Sequence, residues 1–151
     1  MNKFLFLLFL SFFFPSFAQK ETESLDKLMD AWHLAATNAD FIAYFAPTTN
    51  DFIFLGTAPG ERWTKKEFKG FSKPHFDKGK AWDFKANNRR WNFSKDGKTA
   101  WFDEDLKTWM EDCRGSGICT KEKGVWKLAY YNLTVLIENE KIKEFIQLRK
   151  Q

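Results

Sequence analysis

The sequence predicts an α+β fold in which helices pack on one face of an antiparallel β-sheet. Apolar residues recur at helical spacing through much of the first half of the chain, whereas the second half consists of aromatic-rich extended segments separated by turns. Helices followed by a run of hairpins are typical of folds in which the helices are segregated to one face of the sheet. A sheet that curves around such helices leaves a concave space, which is the first place to expect a ligand.

The first 18 residues predict a secretory signal peptide. Lys3 precedes an apolar run over residues 4–14, and the small residues Ser16 and Ala18 occupy the two positions that a signal peptidase reads before the expected cleavage after Ala18. The run is too short to span a bilayer, which takes about 20 residues. We therefore expect a single domain over residues 19–151, a periplasmic or secreted location, and no membrane attachment after cleavage.

Two helices are predicted at the start of this domain. Between residues 24 and 38, apolar side chains recur every three or four positions, which is typical of an amphipathic helix. Asp40 is a suitable N-cap for a second, short helix, which Pro47 prevents from continuing.

A short strand and a third helix follow. Residues 51–56 are a short apolar segment typical of a strand, and the Pro and Gly residues after it predict a loop. Thr64 is followed three residues later by Glu67, which is the pattern of a capping box. We therefore expect a helix to begin at this point and to end near residue 79.

The second half of the chain predicts long hairpins and a C-terminal helix. A Lys-Asp-Gly turn at residues 95–97 separates the first two extended segments. The predicted strands cover residues 81–94, 98–109, 114–120 and 125–137. Residues 139–151 place Ile142, Phe145 and Ile146 on one side, which indicates a helix.

Charge and motif content exclude several classes of function. The 24 basic and 20 acidic residues give a net charge of +4, and the basic residues are scattered among acidic ones rather than gathered in a block, so no nucleic-acid partner is predicted. No Cys and His residues have the spacing of a metal site, and neither a Ser-His-Asp arrangement nor a phosphate-binding glycine loop is present. We expect no metal and no cofactor.

The two cysteines, Cys113 and Cys119, would not form a disulfide if residues 113–119 are one strand. Six strand residues span about 20 Å, whereas a disulfide needs Cα atoms within about 7 Å. We therefore expect no bridge between them unless residues 115–117 fold into a turn. Gly117 and its neighbouring glycine are interpreted as positions where the strand packs closely against a bulky side chain, such as a tryptophan.

His75 is a candidate catalytic residue. It shares a helical face with Phe68 and Phe71, and Pro74 can bend the last turn so that the ring tilts inward. A histidine in this position could act as an acid, a base or a ligand donor. The alternative is a histidine at the edge of the core that donates to a backbone carbonyl. His33, beside the apolar stripe of the first helix, is interpreted as a boundary residue.

Glu104 is the second candidate catalytic residue. Strand alternation puts it on the same face as Phe102 and Leu106, so we expect it to turn inward, where desolvation would raise its pKa and suit it to proton transfer. The alternative is an ion pair with Arg114 on the adjacent strand. A β-bulge would exchange the two faces, so Asp103 is a further candidate.

Three more residues are candidates for ligand binding. Trp63 is expected to form an aromatic lip over the concave space, or else to pack against the core at the start of its helix. In the last strand, one face carries Trp126, Leu128, Tyr130 and Asn132. If this face lines the concave space, Tyr130 and Asn132 supply its polar groups, and Tyr131 and Leu133 suit a dimer contact on the outer face.

Several segments together resemble the nuclear-transport-factor-2-like superfamily in its SnoaL-like, or polyketide-cyclase-like, branch. They are DAWHLAATNADFIAYFA, FLGTAPGERWTKKEFKGFSKPHFDKGKAW, AWFDE, CRGSG and GVWKLAYYNLT, which extend from about residue 30 to residue 134. The resemblance implies a cone made by a curved sheet with helices on its concave face, a pocket between them, and homodimers built through the sheet. It implies no single activity, because the fold includes isomerases, cyclases, dehydratases and domains without catalysis.

Two positions depart from the pattern that the resemblance implies. Relatives commonly have an acidic residue after Gly-Thr in the first loop, where this chain has Ala58 and Pro59. Relatives also often have a histidine in the last long strand, where this chain has Asn132. Both departures remove groups that could move a proton.

Three hypotheses for function follow. The favoured one is an exported domain that binds a small organic molecule in an aromatic pocket lined by Trp63, His75, Glu104, Arg114, Tyr130 and Asn132. The alternative is an acid–base enzyme of the cyclase, isomerase or dehydratase kind that uses Glu104 or His75, and a contact between His75 and a carboxylate would favour it. The second alternative is a dimeric interaction module whose cavity is filled.

Overall fold

The computed structural model describes residues 17–150, which fold into one helix-covered sheet. The helices are α1 (Phe17–Thr37), α2 (Phe41–Phe45), α3 (Lys65–Asp77) and α4 (Ile142–Leu148), the last preceded by a 3₁₀ turn at Asn139–Lys141. The strands are β1 (Thr48–Leu55), β2 (Arg62–Thr64), β3 (Lys85–Phe93), β4 (Thr99–Thr108), β5 (Glu111–Glu122) and β6 (Val125–Val135). Over these residues, no helix combines the length and apolar character needed to cross a bilayer. Most of the predicted signal peptide, residues 1–16, lies outside the described residues.

Helices α2 and α3 begin where their capping residues predict, whereas α1 begins at Phe17, before the predicted start at residue 24. Oδ1 of Asp40 accepts the Ala43 N–H at 2.9 Å at the start of α2. Thr64 and Glu67 form the complete capping box of α3. On α1, Leu25, Met29, Trp32 and Ala36 are buried against the sheet, because residues three and four apart share one side of a helix. By contrast, α4 has no buried residue, and its apolar side chains Ile142, Phe145 and Ile146 are exposed.

The predicted α+β class is confirmed, with one pair of strands parallel rather than antiparallel. The strand order is β2-β1-β6-β5-β4-β3, so β1 from the first half of the chain lies beside β6 from the end of the sheet. The β1–β6 pair is parallel and the other four pairs are antiparallel, which makes the sheet mixed. Helix α3 packs beside β1 and β2 at one edge of the sheet, and α1 packs beside β3 at the other edge. Strand β2 has only three residues and was not predicted from the sequence.

A β-bulge in β6 reverses the predicted facing of this strand. Ile118 pairs with Tyr130 but Cys119 pairs with Leu128, which leaves Ala129 without an opposite residue. An extra residue of this kind shifts the alternation by one position. Trp126 and Leu128 therefore face the core before the bulge, and Tyr131 and Leu133 face it afterwards.

Strand β5 holds two glycines against large side chains, as predicted, although the neighbours are not tryptophans. A Cβ atom on Gly117 would lie 2.5 Å from the Phe102 ring and 2.9 Å from the Tyr130 carbonyl oxygen. A Cβ atom on Gly115 would collide with the hydroxyl of Tyr131. Both cysteines also lie on β5, buried and free.

Candidate functional site

An aromatic cavity opens between α3, the loop before β2 and the concave face of the sheet. Its volume is about 220 Å³. Seven of its lining residues are aromatic and two are aliphatic. The lining comprises Phe54, Gly56, Thr57, Glu61, Trp63, Phe68, Phe71, Trp82, Phe84, Trp109, Met110 and Leu133.

Stacked rings fix one wall of this cavity. Phe54 of β1 and Phe68 of α3 stack at 4.0 Å between ring centroids with planes 12° apart. Trp63 is half-buried and lines the cavity, and it stacks both on Phe71 at 4.5 Å and on the buried Phe68 at 5.6 Å. Trp109, at the tip of the β4–β5 hairpin, is 81% exposed although it lines the cavity. The cavity is therefore bounded by stacked rings on the α3 side and is open to solvent at the β4–β5 hairpin.

Glu61 is the only ionisable residue in the lining. Its Oε2 atom accepts the Ala58 N–H at 2.9 Å, and its backbone oxygen accepts the Gly56 N–H at 2.8 Å. The Glu61 carboxylate therefore closes this loop, in which position 58 is an alanine rather than an acidic residue. Because no lysine, arginine or histidine lines the cavity, it offers no cation to an anionic ligand.

Behind the cavity, Glu104 forms the centre of a buried polar cluster. The residue is 0% exposed and points to the concave side, as predicted. Its Oε1 atom lies 2.8 Å from Nε2 of His33 and accepts the Tyr131 hydroxyl at 2.8 Å. Its Oε2 atom accepts Nε of Arg89 at 2.8 Å. Since an ionised carboxylate only accepts hydrogen bonds, Nε2 of His33 carries the proton.

The partners of Glu104 keep it ionised, contrary to the sequence-based prediction of a raised pKa. Burial alone would raise the pKa of this carboxyl, but the hydrogen bonds from His33 and Arg89 and the positive charge of Arg89 outweigh burial and lower it. In turn, burial opposes the charged form of Arg89, yet the neighbouring Glu104 carboxylate raises the pKa of the guanidinium.

Arg89 links this cluster to helix α1. Its Nη1 atom donates to Asp26 Oδ1 at 3.1 Å and to Asp30 Oδ1 at 3.0 Å. Trp91 adds a bond from Nε1 to Asp26 Oδ1 at 2.8 Å. Arg89 therefore joins α1, β3 and β4. The alternative of an ion pair between Glu104 and Arg114 is wrong, because Arg114 lies on the exposed face of β5.

Tyr131 separates the polar cluster from the cavity. Its ring lies 5.8 Å from Phe54, which lines the cavity, and 4.7 Å from Trp32 on α1. Its hydroxyl reaches over Gly115 to Glu104. Since Glu104 is fully buried and both of its oxygens are bonded, a molecule in the cavity does not contact the carboxylate.

The predicted inward orientation of His75 is wrong. The buried residues of α3 are Phe68, Ser72 and Phe76, so at about 100° per residue the buried stripe is centred near Ser72. His75 lies on the edge of this stripe and is exposed, with its ring 5.5 Å from Phe71. The histidine has no carboxylate contact of the kind that would favour the enzyme hypothesis.

Three other candidates also lie away from the cavity. Tyr130 and Asn132 face the convex side, because the bulge at Ala129 reverses the strand. Nδ2 of Asn132 donates to Thr134 Oγ1 at 3.1 Å, on the same strand. Asp103 faces outward and forms an exposed ion pair at 3.1 Å with Arg90.

Sequence reasoning missed two of the residues that hold Glu104. His33 was interpreted as a boundary residue, although it is only 7% exposed. It directly follows Trp32, whose burial was predicted, and a helix position next to a buried one can turn inward where the sheet curves. Arg89 gave no signal, since an arginine in a strand with alternating exposure is ordinarily solvated. Between residues 17 and 150, no three His, Cys, Asp or Glu side chains are grouped so that they could hold a metal ion.

Comparisons with known proteins agree with this architecture. A family model described as a SnoaL-like domain matches residues 25–138. No curated protein matches the sequence.

Solved structures of low sequence identity share the fold. An NTF2-like protein of unknown function from Pseudomonas putida has a TM-score of 0.67 at 13% identity, covering 82% of this chain and 92% of that one. A proposed dehydratase of the NTF2-like family from Streptomyces avermitilis has a TM-score of 0.67 at 11% identity, covering 80% and 99%. A proposed scytalone dehydratase from Novosphingobium aromaticivorans has a TM-score of 0.66 at 12% identity, covering 78% and 85%. At these sequence identities the solved structures establish the fold alone. The family model, however, spans most of the chain, so the protein belongs to the family of SnoaL-like domains.

Proposed function

We propose that this domain binds a small, neutral aromatic molecule in the cavity beside α3. The observation that carries the proposal is a cavity of about 220 Å³ whose lining is mostly aromatic and contains one ionisable side chain. Burying the faces of an aromatic ligand against such rings removes apolar area from water and adds favourable ring contacts.

The size and charge of the cavity define the ligand class. Pockets for drug-sized ligands usually exceed about 300 Å³, so this cavity suits a molecule of one or two rings. Glu61 at the rim disfavours anions, because a ligand carboxylate would approach a like charge without a compensating cation.

The acid–base alternative has less support. An acid–base residue must reach its substrate directly or through one water, whereas Glu104 is fully buried and bonded at both oxygens. Its lowered pKa also makes it a poor proton donor at neutral pH. Proposed dehydratases share the fold, but this fold also carries domains of other function.

The proposal is tested with two naphthalene probes. 2-Naphthol, which is neutral at pH 7, should bind and quench tryptophan fluorescence, whereas 2-naphthoate should bind at least about tenfold more weakly. The Trp109→Ala variant should weaken 2-naphthol binding because Trp109 lines the cavity. Ile42→Ala is the matched control, since Ile42 is 82% exposed on α2 and does not line the cavity.

Two results would contradict the proposal. One is saturable binding of neither probe to the folded protein. The other is equal loss of 2-naphthol affinity in Trp109→Ala and Ile42→Ala, since that would place binding outside the cavity.

We further propose that the convex face of the sheet forms a homodimer contact. Trp101, Ile118, Tyr130 and Ile53 are successive cross-strand neighbours on β4, β5, β6 and β1. Trp101 is 45% and Ile118 is 38% exposed, and a row of apolar side chains of this kind is typical of interaction surfaces. The row replaces the contact predicted at Tyr131 and Leu133, which are buried in the core.

The Ile118→Glu variant tests the dimer. Light scattering coupled to size exclusion should give a dimer for the wild type and a monomer for the variant. Lys78→Glu, at the exposed end of α3, should leave the dimer intact. A wild-type monomer at about 0.1 mM would contradict the proposal.

We also propose that the chain is exported to the periplasm or the medium, on the basis of residues 1–18. Cleavage after Ala18 would retain Glu21, whose carboxylate accepts Lys121 Nζ at 2.7 Å and Trp126 Nε1 at 2.5 Å. Cell fractionation with intact-mass analysis should find a product that begins at Gln19. A full-length product confined to the cytoplasm would contradict export.

A further inference from the structure

Two hydrogen-bond donors in the aromatic core have no acceptor. Within residues 17–150, the Trp32 Nε1 atom and the Tyr44 hydroxyl have no hydrogen-bond partner of normal geometry, and Trp32 is only 2% and Tyr44 0% exposed. The great majority of buried polar side-chain atoms in proteins have a partner. A third such atom, Thr49 Oγ1, lies at the start of β1.

The two unpartnered donors belong to adjoining rings. Trp32 of α1 and Tyr44 of α2 stack at 4.7 Å between ring centroids with planes 20° apart. Trp32 also contacts Tyr131 at 4.7 Å, so this pair of rings adjoins the cluster around Glu104. Neither Trp32 nor Tyr44 belongs to the lining of the aromatic cavity.

Trp82 lies between these donors and the cavity. Its ring is 5.6 Å from Tyr44, edge on, and it also lines the cavity. The Trp82 indole N–H interacts with the Tyr44 hydroxyl oxygen outside normal hydrogen-bond geometry. Because an indole N–H only donates, the Tyr44 O–H still has no acceptor. Trp82 belongs to the segment between α3 and β3, which has no helix or strand over residues 80–84, and it is half-buried. Few backbone hydrogen bonds hold such a segment, so it can be displaced at lower cost than a residue on α3 or the sheet.

Leaving the two donors unpaired is unfavourable. A buried donor without an acceptor loses its hydrogen bond to water and gains nothing in return. Removing the Tyr44 hydroxyl should therefore not destabilise the unliganded protein. Conversely, an acceptor brought by a ligand would recover the lost bond.

We propose that Trp32 and Tyr44 form an acceptor subsite at the inner end of the cavity, reached when Trp82 is displaced. The inference rests on the proposed binding function and narrows its ligand class. The ligand is a one- or two-ring aromatic molecule with a neutral acceptor oxygen, such as a ring ketone or an aryl ketone. Its rings occupy the cavity, and its carbonyl oxygen accepts from the Trp32 indole or the Tyr44 hydroxyl.

Two probes of nearly equal size test the subsite. 2-Acetylnaphthalene carries the acceptor oxygen and 2-ethylnaphthalene does not, so the wild type should bind the ketone about tenfold more tightly. Tyr44→Phe and Trp32→Phe each remove one donor, and at least one of them should abolish this preference while leaving the affinity for 2-ethylnaphthalene unchanged. Tyr44→Phe should unfold at the same temperature as the wild type or higher.

The outcomes separate the two proposals. Equal binding of both probes by the wild type and by both variants would overturn the acceptor subsite and leave the binding function standing. Failure of both probes to bind would overturn the binding function and the subsite together. A loss of stability in Tyr44→Phe would show that its hydroxyl is already paired, which would also overturn the subsite.

Discussion

Replacing Glu104 with glutamine tests whether the buried cluster holds α1 to the sheet. Glutamine has nearly the same size and can still accept bonds from His33 and Tyr131, but it lacks the charge that faces Arg89. Hydrogen bonds to charged groups contribute about 1 kcal/mol more than neutral ones, and three such bonds end on Glu104. We therefore expect the free energy of unfolding to fall by about 3 kcal/mol, which lies at the lower end for a broken buried ion pair.

Urea denaturation followed by tryptophan fluorescence at pH 7 measures this change. For a domain of this size, about 3 kcal/mol corresponds to a fall of about 10 °C in the unfolding temperature. Asp103→Asn is the matched control, because Asp103 adjoins Glu104 on β4 but forms only an exposed pair with Arg90, and it should cost less than about 1 kcal/mol. A loss below about 1 kcal/mol for Glu104→Gln would refute the argument that charge in this cluster stabilises the fold.

Three further predictions concern pH dependence, close packing and thiol reactivity. The pKa of Glu104 is lowered in the folded protein, so its stabilisation is present above the unfolded-state pKa of about 4.3 and is lost as the pH falls through the folded-state pKa. The difference in unfolding free energy between wild type and Glu104→Gln should therefore shrink in urea titrations below about pH 4. A constant difference down to about pH 3 would contradict this. Gly117→Ala should lower the free energy of unfolding by about 2 kcal/mol in urea denaturation, because its Cβ atom would lie 2.5 Å from Phe102. Gly70→Ala, at an exposed helical position with open space around it, should stabilise the protein by about 0.5 kcal/mol. Equal effects of the two substitutions would refute the packing argument. Burial raises the pKa of the Cys119 thiol to about 12, so mass spectrometry should find it unmodified by iodoacetamide at about pH 8 in the native protein and alkylated after denaturation; rapid native labelling would contradict its burial.

The sequence predicts the fold well because the signals that define it are local. The capping box at Thr64, the N-cap at Asp40 and the spacing of apolar residues on α1 each act within a few residues, and all three agree with the structure. The parallel pairing of β1 with β6 is not local. It joins residues 77 to 80 positions apart in the chain, so no short pattern indicates it.

The candidate site is predicted less well, because it depends on contacts between distant elements. The inward direction of Glu104 follows from strand alternation, but its partners come from α1 and β3 and are 71 and 15 residues away in sequence. The prediction for His75 was wrong because it took Phe68 and Phe71 to mark the buried face of α3. The buried face is instead marked by Phe68, Ser72 and Phe76. A small serine contributes little to a hydrophobic pattern, even where it is fully buried.

The β-bulge at Ala129 also changes how Asn132 is interpreted. On this backbone a histidine at that position would project from the outer surface, on the side of the sheet away from the rings around the cavity. Its replacement by asparagine therefore removes no proton-transfer group from the interior. In a strictly alternating strand this substitution would remove a catalytic group from the interior, but three residues beyond the bulge it changes only the outer surface of the sheet.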